Sequence, residues 1–335
     1  MTTASRPPVV AALPRSLYLE TTNRCDSKCQ TCIRTFQSLE PPADLTLAQV
    51  KAIAEQFPVL DRVVLHGIGE PLLNREIFEI VEYLKSRAAT VLFNSDAISL
   101  TATRAWRLIE SGLDEFRVSM DAATRQTYRK LRGVDRFDRV VANVRRLREL
   151  ERERSRSTPR VSLWFTAARA NLHELPAFVR LAADLGVDEV YVQRLVFNGL
   201  GLATAENALH ARLHQQEREL LGEAEALARE LGLVLRASGL TTPLASLQGG
   251  ASTSRPWAGC QRPWTLSYVT ANGNVLPCCI SPWVTRNYQA LVLGNALGEP
   301  FADIWNGERY RQFRINFESA SPPDPCRGCG LLWSI

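Results

Sequence analysis

With 335 residues, 45% of them hydrophobic and 22% charged, the chain has material for one large or two moderate domains with a sizeable core. A net charge of +5 is mild, and the densest basic run, Arg145 to Arg160, is interleaved with Glu and reads as a solvated helix end rather than a nucleic-acid patch. No run approaches the roughly 18 apolar residues of a membrane span, and the opening "MTTASRPPVVAALPR" is too short and proline-broken for a signal peptide. The expectation is a cytoplasmic protein without nucleic-acid or membrane partners. In such a compartment eight cysteines point to metal or redox chemistry before disulfides.

Along the chain, a tail (1–15) precedes the first strand-like run, "LYLETT". From there to residue 204, strand and helix patterns alternate, and the runs "RVVLH", "ATVLFN", "EFRVSM", "RVSLWFT" and "EVYVQRL" supply the later strands. Six apolar runs between amphipathic helices predict a parallel α/β sheet, which periodicity alone leaves open as doubly wound or as a partial barrel. Residues 205 to 232 read as one long helix and Ser238 to Pro256 as a Gly/Ser/Thr/Pro-rich linker, so 205–255 is a helix-and-linker segment. His210 and His214, four apart on that helix, could share a metal, but without the glutamate of an HExxH motif a solvent-facing helix is the simpler reading. A smaller C-terminal unit (256–335) opens with a hairpin turning at Asn272-Gly273.

Directly after the first strand, "NRCDSKCQTC" places Cys25, Cys29 and Cys32 in C-x3-C-x2-C spacing. Three thiolates on one loop can hold three corners of a [4Fe–4S] cube and leave one iron open. A structural zinc site normally closes with a fourth Cys or His nearby, so the spacing favours iron–sulfur. At this point the sequence resembles the radical S-adenosylmethionine (SAM) superfamily. The resemblance implies that SAM chelates the open iron and that its reductive cleavage yields a 5′-deoxyadenosyl radical, which takes a hydrogen from the substrate. An external one-electron donor such as flavodoxin or ferredoxin follows as a partner, and the fold becomes a partial (β/α)6 TIM-type barrel.

The same resemblance assigns SAM contacts at strand ends. "HGIGEPLL" looks like the GGEP motif, with Gly67, Gly69, Glu70 and Pro71, although Ile68 intervenes between the glycines. Asn94 in "FNS", Ser119 and Asp121 in "VSMDAATRQTYRKLRG", Arg132 further along it, and Asn171 in "NLHELP" complete the set. Each has a plainer reading: a tight turn at G-x-G-E-P, a helix cap at Asp121, and a variant capping box from Asn171 to Glu174. Their order after successive strands, together with the cysteine triplet, is the specific signal.

Of the remaining cysteines, Cys260 and Cys278 bracket the predicted hairpin, and Cys326 and Cys329 form a C-x2-C pair. Four thiolates so arranged suit zinc or a fully ligated [4Fe–4S] cluster, and bare chemistry leans to zinc. The segment resembles the Twitch form of the SPASM/Twitch subfamily, close to the 2-deoxy-scyllo-inosamine dehydrogenase-like enzymes, which implies one auxiliary [4Fe–4S] cluster on these four residues. Oxidation of a carbinol in a small polar substrate (sugar, aminocyclitol or nucleoside) is then the leading expectation, with the auxiliary cluster as electron acceptor. Such a reaction needs a group for the hydroxyl proton. Arg194, at the end of the sixth strand, is a candidate, with a surface charge or salt bridge as its plainer reading. Cys279 is packing as a small hydrophobe, facing away from its neighbour on an extended strand, or the hydrogen donor of a radical epimerase, or an alternative cluster ligand. Three further functions stay open: peptide maturation, which the short segment before the first strand disfavours, sugar-acid decarboxylation, and a non-catalytic zinc-binding interaction module.

Overall fold

The computed structural model describes residues 6–249, 255, 257–285 and 287–329, so the predicted tail, linker and C-terminal unit each lie partly outside the described residues. Along the chain run β1 (Ser16–Leu19), β2 (Arg62–Leu65), β3 (Thr90–Ser95), β4 (Glu115–Ser119), β5 (Arg160–Ala167), β6 (Glu189–Arg194), β7 (Val234–Ala237), β8 (Leu266–Val269), β9 (Asn274–Leu276) and β10 (Gly294–Asn295). The helices are α1 (Leu47–Ala54), α2 (Ile77–Ser86), α3 (Ala102–Glu110), α4 (Arg125–Arg132), α5 (Phe137–Glu153), α6 (Leu175–Leu185), α7 (Gln215–Glu230), α8 (Pro243–Gln248), α9 (Arg262–Thr265), α10 (Ser281–Val284), α11 (Phe301–Trp305), α12 (Glu308–Glu318) and α13 (Asp324–Cys329).

Two compact units are built from these elements. The first holds residues 6–24, 38–91 and the described part of 252–331; the second holds 25–37 and 92–249. In the first, strands run in the order β10-β9-β8-β1-β2. β1 lies parallel between β2 and β8, with Tyr18 opposite Val64 on one side and Tyr268 on the other. In the second, β3-β4-β5-β6-β7 are consecutive, and every registered pair is parallel. Parallel strands covered on both faces must be apolar on both. Accordingly Phe93, Phe116, Val118, Leu163 and Phe165 are fully buried, and Phe93 meets Phe116 edge-on at 5.3 Å.

The six predicted strands are present, and the hairpin β8–β9 turns at Asn272-Gly273 as expected. Two expectations fail. The predicted long helix begins only at Gln215, because Ala203, Ala208 and Leu209 are buried, the first two in a cluster with Ala168 and Leu195, and Ala211 takes a left-handed φ of 58°. Arg169 holds this stretch open by donating to the Glu206 and Arg212 carbonyls. The predicted linker also contains structure: β7 ends at Ala237, and α8 starts behind a Thr242 cap. Tertiary contacts there outweigh weak local propensity. No helix among the described residues is long and apolar enough to cross a membrane.

Candidate functional site

The cysteine triplet lies on a loop in the second unit. Cys32 N donates to the Cys29 carbonyl at 3.1 Å, Ser27 N approaches Cys25 Sγ at 3.4 Å, and Thr35 Oγ1 donates to the Cys29 carbonyl at 2.8 Å. The buried Ser27 hydroxyl donates to Asp96 Oδ2 at 2.6 Å, tying the loop to the segment after β3. Burial pushes the Cys29 thiol up to about 12, offset in part by Arg132. A bound metal reverses that logic, since a coordinated thiol is deprotonated outright.

Behind the loop, Asp121 adopts a left-handed φ of 63° and is held at both oxygens, by Thr166 N at 2.7 Å and Arg132 Nη1 at 2.9 Å. It is not the cap of α4; Thr124 is, accepting from Thr127 N. Burial alone would lower the Arg132 pKa, but Cys29 and Asp121 raise it well above its ordinary value. The expected capping box at Asn171 is absent. Asn171 is 0% exposed, accepts from Ala168 N, and donates both amide hydrogens, to the Asp121 and Thr166 carbonyls. Glu174 instead accepts from Ala123 N, Thr124 N and Thr124 Oγ1. The Asn94 and Ser119 side chains are partly exposed near the C-terminal ends of β3 and β4.

In the first unit, the G-x-G-E-P turn follows β2. Glu70 N donates to the Arg24 carbonyl, its carboxylate accepts from Leu72 N, and Pro71 opens the 3-10 turn Pro71–Leu73. A Cβ on Gly67 would lie 2.1 Å from Glu20 Oε2, and one on Gly69 would lie 2.0 Å from the Thr22 carbonyl. The glycines are thus required first by the chain's own close approach. Glu20, which no motif or spacing singles out, is 2% exposed and accepts from Ile68 N at 2.6 Å, Tyr268 Oη at 2.7 Å and Ala271 N at 3.1 Å.

Burial raises the Glu20 carboxyl from 4.5 to about 7, against those three hydrogen bonds and with a small further push from Glu40. The folded chain therefore holds this proton more tightly than the unfolded chain, and stability falls as pH rises from about 4.5 to about 7. Relative to Glu20→Gln, the parent should lose about 3 kcal/mol across that window. Urea midpoints of both proteins at pH 4.5 and pH 8 measure it; parallel shifts would contradict the assignment.

The other cysteines also lie in the first unit. Burial raises Cys260, Cys326 and Cys329, and Cys278 adds to the rise of all three, so these four sulfurs are mutual electrostatic neighbours. Cys278 and Cys279 follow the end of β9 at Leu276 and sit in the turn before α10, so strand alternation does not orient them. Cys279 is 4% exposed and receives Arg262 Nη1 at 3.5 Å. Burial pushes its thiol up to about 11, with Arg262 opposing and Cys278 adding. Arg262, two residues after Cys260, was not foreseen; Cys279, Cys278 and Cys260 together raise its pKa against the lowering effect of burial.

Arg194, at the end of β6, is half-buried and donates from Nε to Ser246 Oγ at 2.9 Å. Burial lowers its pKa from the ordinary guanidinium value. His210 lies on the same serine, with Nδ1 3.1 Å from the Ser246 carbonyl. Burial, and next the charge of Arg194, lower the His210 pKa. His210 precedes α7 and His214 is its N-cap, so the pair does not share a helix face as sequence spacing suggested.

The radical SAM superfamily model matches residues 19–159, and the SPASM model, an iron–sulfur cluster-binding domain, matches residues 260–330. The chain carries a radical SAM domain and a C-terminal SPASM domain. It is a radical SAM enzyme that uses SAM and [4Fe–4S] clusters, and the non-catalytic zinc-module reading falls away. Among similar curated proteins, the pre-heme d1 synthase of Dinoroseobacter shibae is 24% identical, over 90% of this chain and 76% of its own. The PqqA peptide cyclase of Streptomyces rochei is 27% identical, over 96% of this chain and 83% of its own. The structure of Streptococcus suis SuiB bound to precursor peptide SuiA superposes with a TM-score of 0.69 at 17% identity, covering 89% of this chain and 66% of SuiB, just under two thirds. That likeness shows the fold: the radical SAM partial barrel with a C-terminal SPASM/Twitch domain.

The donor sets, three thiols on one loop and four thiols in the C-terminal part, fit iron–sulfur clusters. Among the described residues Cys25 Sγ also lies within 4.8 Å of carboxylate oxygens of Asp26 and Asp96. Within the radical SAM domain, sequence reasoning missed Glu20, Ser27 and Asp96, and it gave Glu174 a capping role in place of its bonds to Ala123 and Thr124. Their signal is only visible once the partner is known, because an isolated Glu or Asp does not reveal which backbone amides it will accept.

Proposed function

We propose that this radical SAM enzyme oxidises a carbinol of a small polar substrate such as a sugar, aminocyclitol or nucleoside. In this reading Cys25, Cys29 and Cys32 hold the SAM cluster, and Cys260, Cys278, Cys326 and Cys329 hold an auxiliary cluster. The proximity of those last four thiols carries the reading. A cluster with a thiolate on every corner has no open iron for substrate and is left with electron transfer. When bound, SAM and its cluster supply a hydrogen-abstracting radical, and the auxiliary cluster supplies a one-electron acceptor. Gly67, Gly69, Glu70, Pro71, Asn94, Ser119, Asp121, Arg132 and Asn171 would hold SAM, and Asp121, Arg132 and Asn171 also hydrogen-bond to one another or to the strand ends. The domain limits proposed are 16–204 for the barrel and 256–335 for the auxiliary domain, joined by 205–255.

Oxidation of a carbinol releases a hydroxyl proton. Arginine stays protonated in proteins, so Arg194 serves as a cation that holds the substrate oxygen. His210 takes the proton at Nε2, because its Nδ1–H faces the Ser246 carbonyl and fixes the tautomer. Arg262 tunes the auxiliary cluster. Removing this cation in Arg262→Gln should lower that cluster's midpoint potential by roughly 60–120 mV, equivalent to about 1.4–2.8 kcal/mol for one electron. An EPR-monitored redox titration reads the shift, and an unchanged potential would remove Arg262 from the account.

The reaction is tested by anaerobic incubation of candidate sugars, aminocyclitols and nucleosides with SAM and reductant in D2O. Loss of two hydrogens marks oxidation, loss of carbon dioxide marks decarboxylation, and deuterium gained at carbon marks epimerisation. Cys279→Ala should keep its iron and its turnover in the oxidation reading. A variant that keeps iron but stops turnover while deuterium appears in the parent's product would establish Cys279 as a hydrogen donor. A second reading, peptide modification, draws on similarity to the PqqA peptide cyclase over 96% of this chain. A peptide substrate in the same assay distinguishes it by an intramolecular cross-link.

A further inference from the structure

The cysteine loop rests on the C-terminal turn of α4. Lys28 N donates to the Arg132 carbonyl at 3.0 Å, and Gln30 N donates to the Leu131 carbonyl at 2.7 Å. Gly133, at φ 69°, admits this approach; a Cβ there would sit 2.2 Å from the Lys28 carbonyl. Asp26, immediately after Cys25, accepts from Ser99 Oγ at 3.1 Å and opens onto a surface cleft of about 300 Å³ that Arg104, Arg136 and Arg139 also line.

The corner is strongly basic. Arg104, Arg136 and Arg139 line the cleft, and Lys28 on the cysteine loop and Arg129 and Lys130 in the last turn of α4 are exposed. Counting Arg125, which is bidentate to Asp135 and 3.8 Å from Asp138, the corner carries seven cations and four carboxylates (Asp26, Asp96, Asp135 and Asp138), an excess of three. The whole chain has a formal excess of five. The charge does not continue as a track along α5, where Arg146 pairs with Glu149 and Glu153, and Arg148 with Glu151 and Asp188. A confined basic patch suits a compact acidic protein better than a phosphate backbone, which needs an extended row of cations.

We propose that this corner, formed by Lys28, the end of α4 and the start of α5, is the docking surface for an acidic one-electron donor protein of the flavodoxin or ferredoxin class. The proposal rests on reading Cys25, Cys29 and Cys32 as the SAM-cluster ligands. One electron leaves the reduced donor and enters the cluster through the loop that the corner supports, and the donor departs oxidised by one electron. The patch steers the encounter electrostatically, so it governs affinity and association rate rather than the chemistry that follows.

The test uses the anaerobic holoprotein, a purified bacterial flavodoxin and the double variant Arg136→Glu, Arg139→Glu. Flavodoxin binding is measured by calorimetry at about 50 and about 300 mM salt, where screening differs strongly. 5′-Deoxyadenosine formation is then followed with reduced flavodoxin or with dithionite. The double variant should bind flavodoxin at least about tenfold more weakly and show a KM for flavodoxin raised by a similar factor. Its dithionite-driven cleavage and iron content should match the parent. Arg136→Gln, Arg139→Gln, which keeps the shape without the repulsion, should show an intermediate loss. Equal flavodoxin binding by parent and double variant, or parent binding insensitive to salt, would overturn the proposal. So would a patch whose loss releases a labelled oligonucleotide and leaves flavodoxin binding intact. If dithionite fails to drive cleavage in the parent, the cluster reading fails instead, and the binding titration still judges the surface.

Discussion

Replacing Cys25, Cys29 and Cys32 together with Ala should remove about four iron atoms per chain and bring 5′-deoxyadenosine formation to background. The reason lies in the loop itself. Cys29 is buried enough that its thiol is pushed up to about 12, so no stable thiolate forms there without a metal to coordinate it. The loop has been shaped by Ser27, Thr35 and the end of α4 to present sulfur, and alanine leaves those supports intact. Loss of activity would therefore report lost ligands and not a collapsed loop, which thermal unfolding of the iron-free parent and variant can verify. Iron retained at the parent's level, or continued SAM cleavage, would contradict the ligand assignment. The iron left in the variant should be that of the auxiliary cluster.

The second expected result concerns His210→Asn: substrate oxidation should fall by about 10²- to 10⁴-fold while SAM cleavage continues. Asparagine keeps a polar group against the Ser246 carbonyl but cannot accept a proton. Burial and then Arg194 depress the His210 pKa below its ordinary 6.5, so the imidazole is neutral and basic at pH 7. The parent's rate should climb with pH through that depressed value and level off by neutrality, since only the unprotonated ring takes the proton. The variant should lack this acid limb. An acid limb unchanged in the variant, or SAM cleavage reduced as much as substrate oxidation, would assign His210 a structural part only. A group acting on the substrate proton separates these two readouts; a group that merely packs does not.

Much of the fold and the site was legible in the residues. The alternation of apolar runs and amphipathic helices announced the parallel strands, because a strand buried on both faces must be apolar throughout. The C-x3-C-x2-C spacing announced the iron–sulfur chemistry of the first cysteine set, whereas for the hairpin and C-x2-C set bare chemistry leaned to zinc and only the resemblance implied a cluster. Local patterns misled elsewhere. The residues showed the glycines of G-x-G-E-P only as a turn for a ligand and gave no sign that Glu20 Oε2 and the Thr22 carbonyl also require them, by lying where a Cβ would stand. Asn171 and Glu174 had the spacing of a capping box, yet each turns to partners some 50 residues away or to its own preceding turn. The 205–232 stretch had helical composition, but burying Ala208 and Leu209 mattered more than extending α7 by ten residues.

The sequence by itself determined the strands along the chain and the two cysteine sets, since these depend on residue type and interval. Only the tertiary structure decided which polar side chains are partners. It set Glu20 against the G-x-G-E-P turn, Arg262 against Cys279, and His210 and Arg194 on opposite atoms of Ser246. A buried polar group must find its partner across whatever separation the fold imposes, and that separation leaves no periodic trace in the chain.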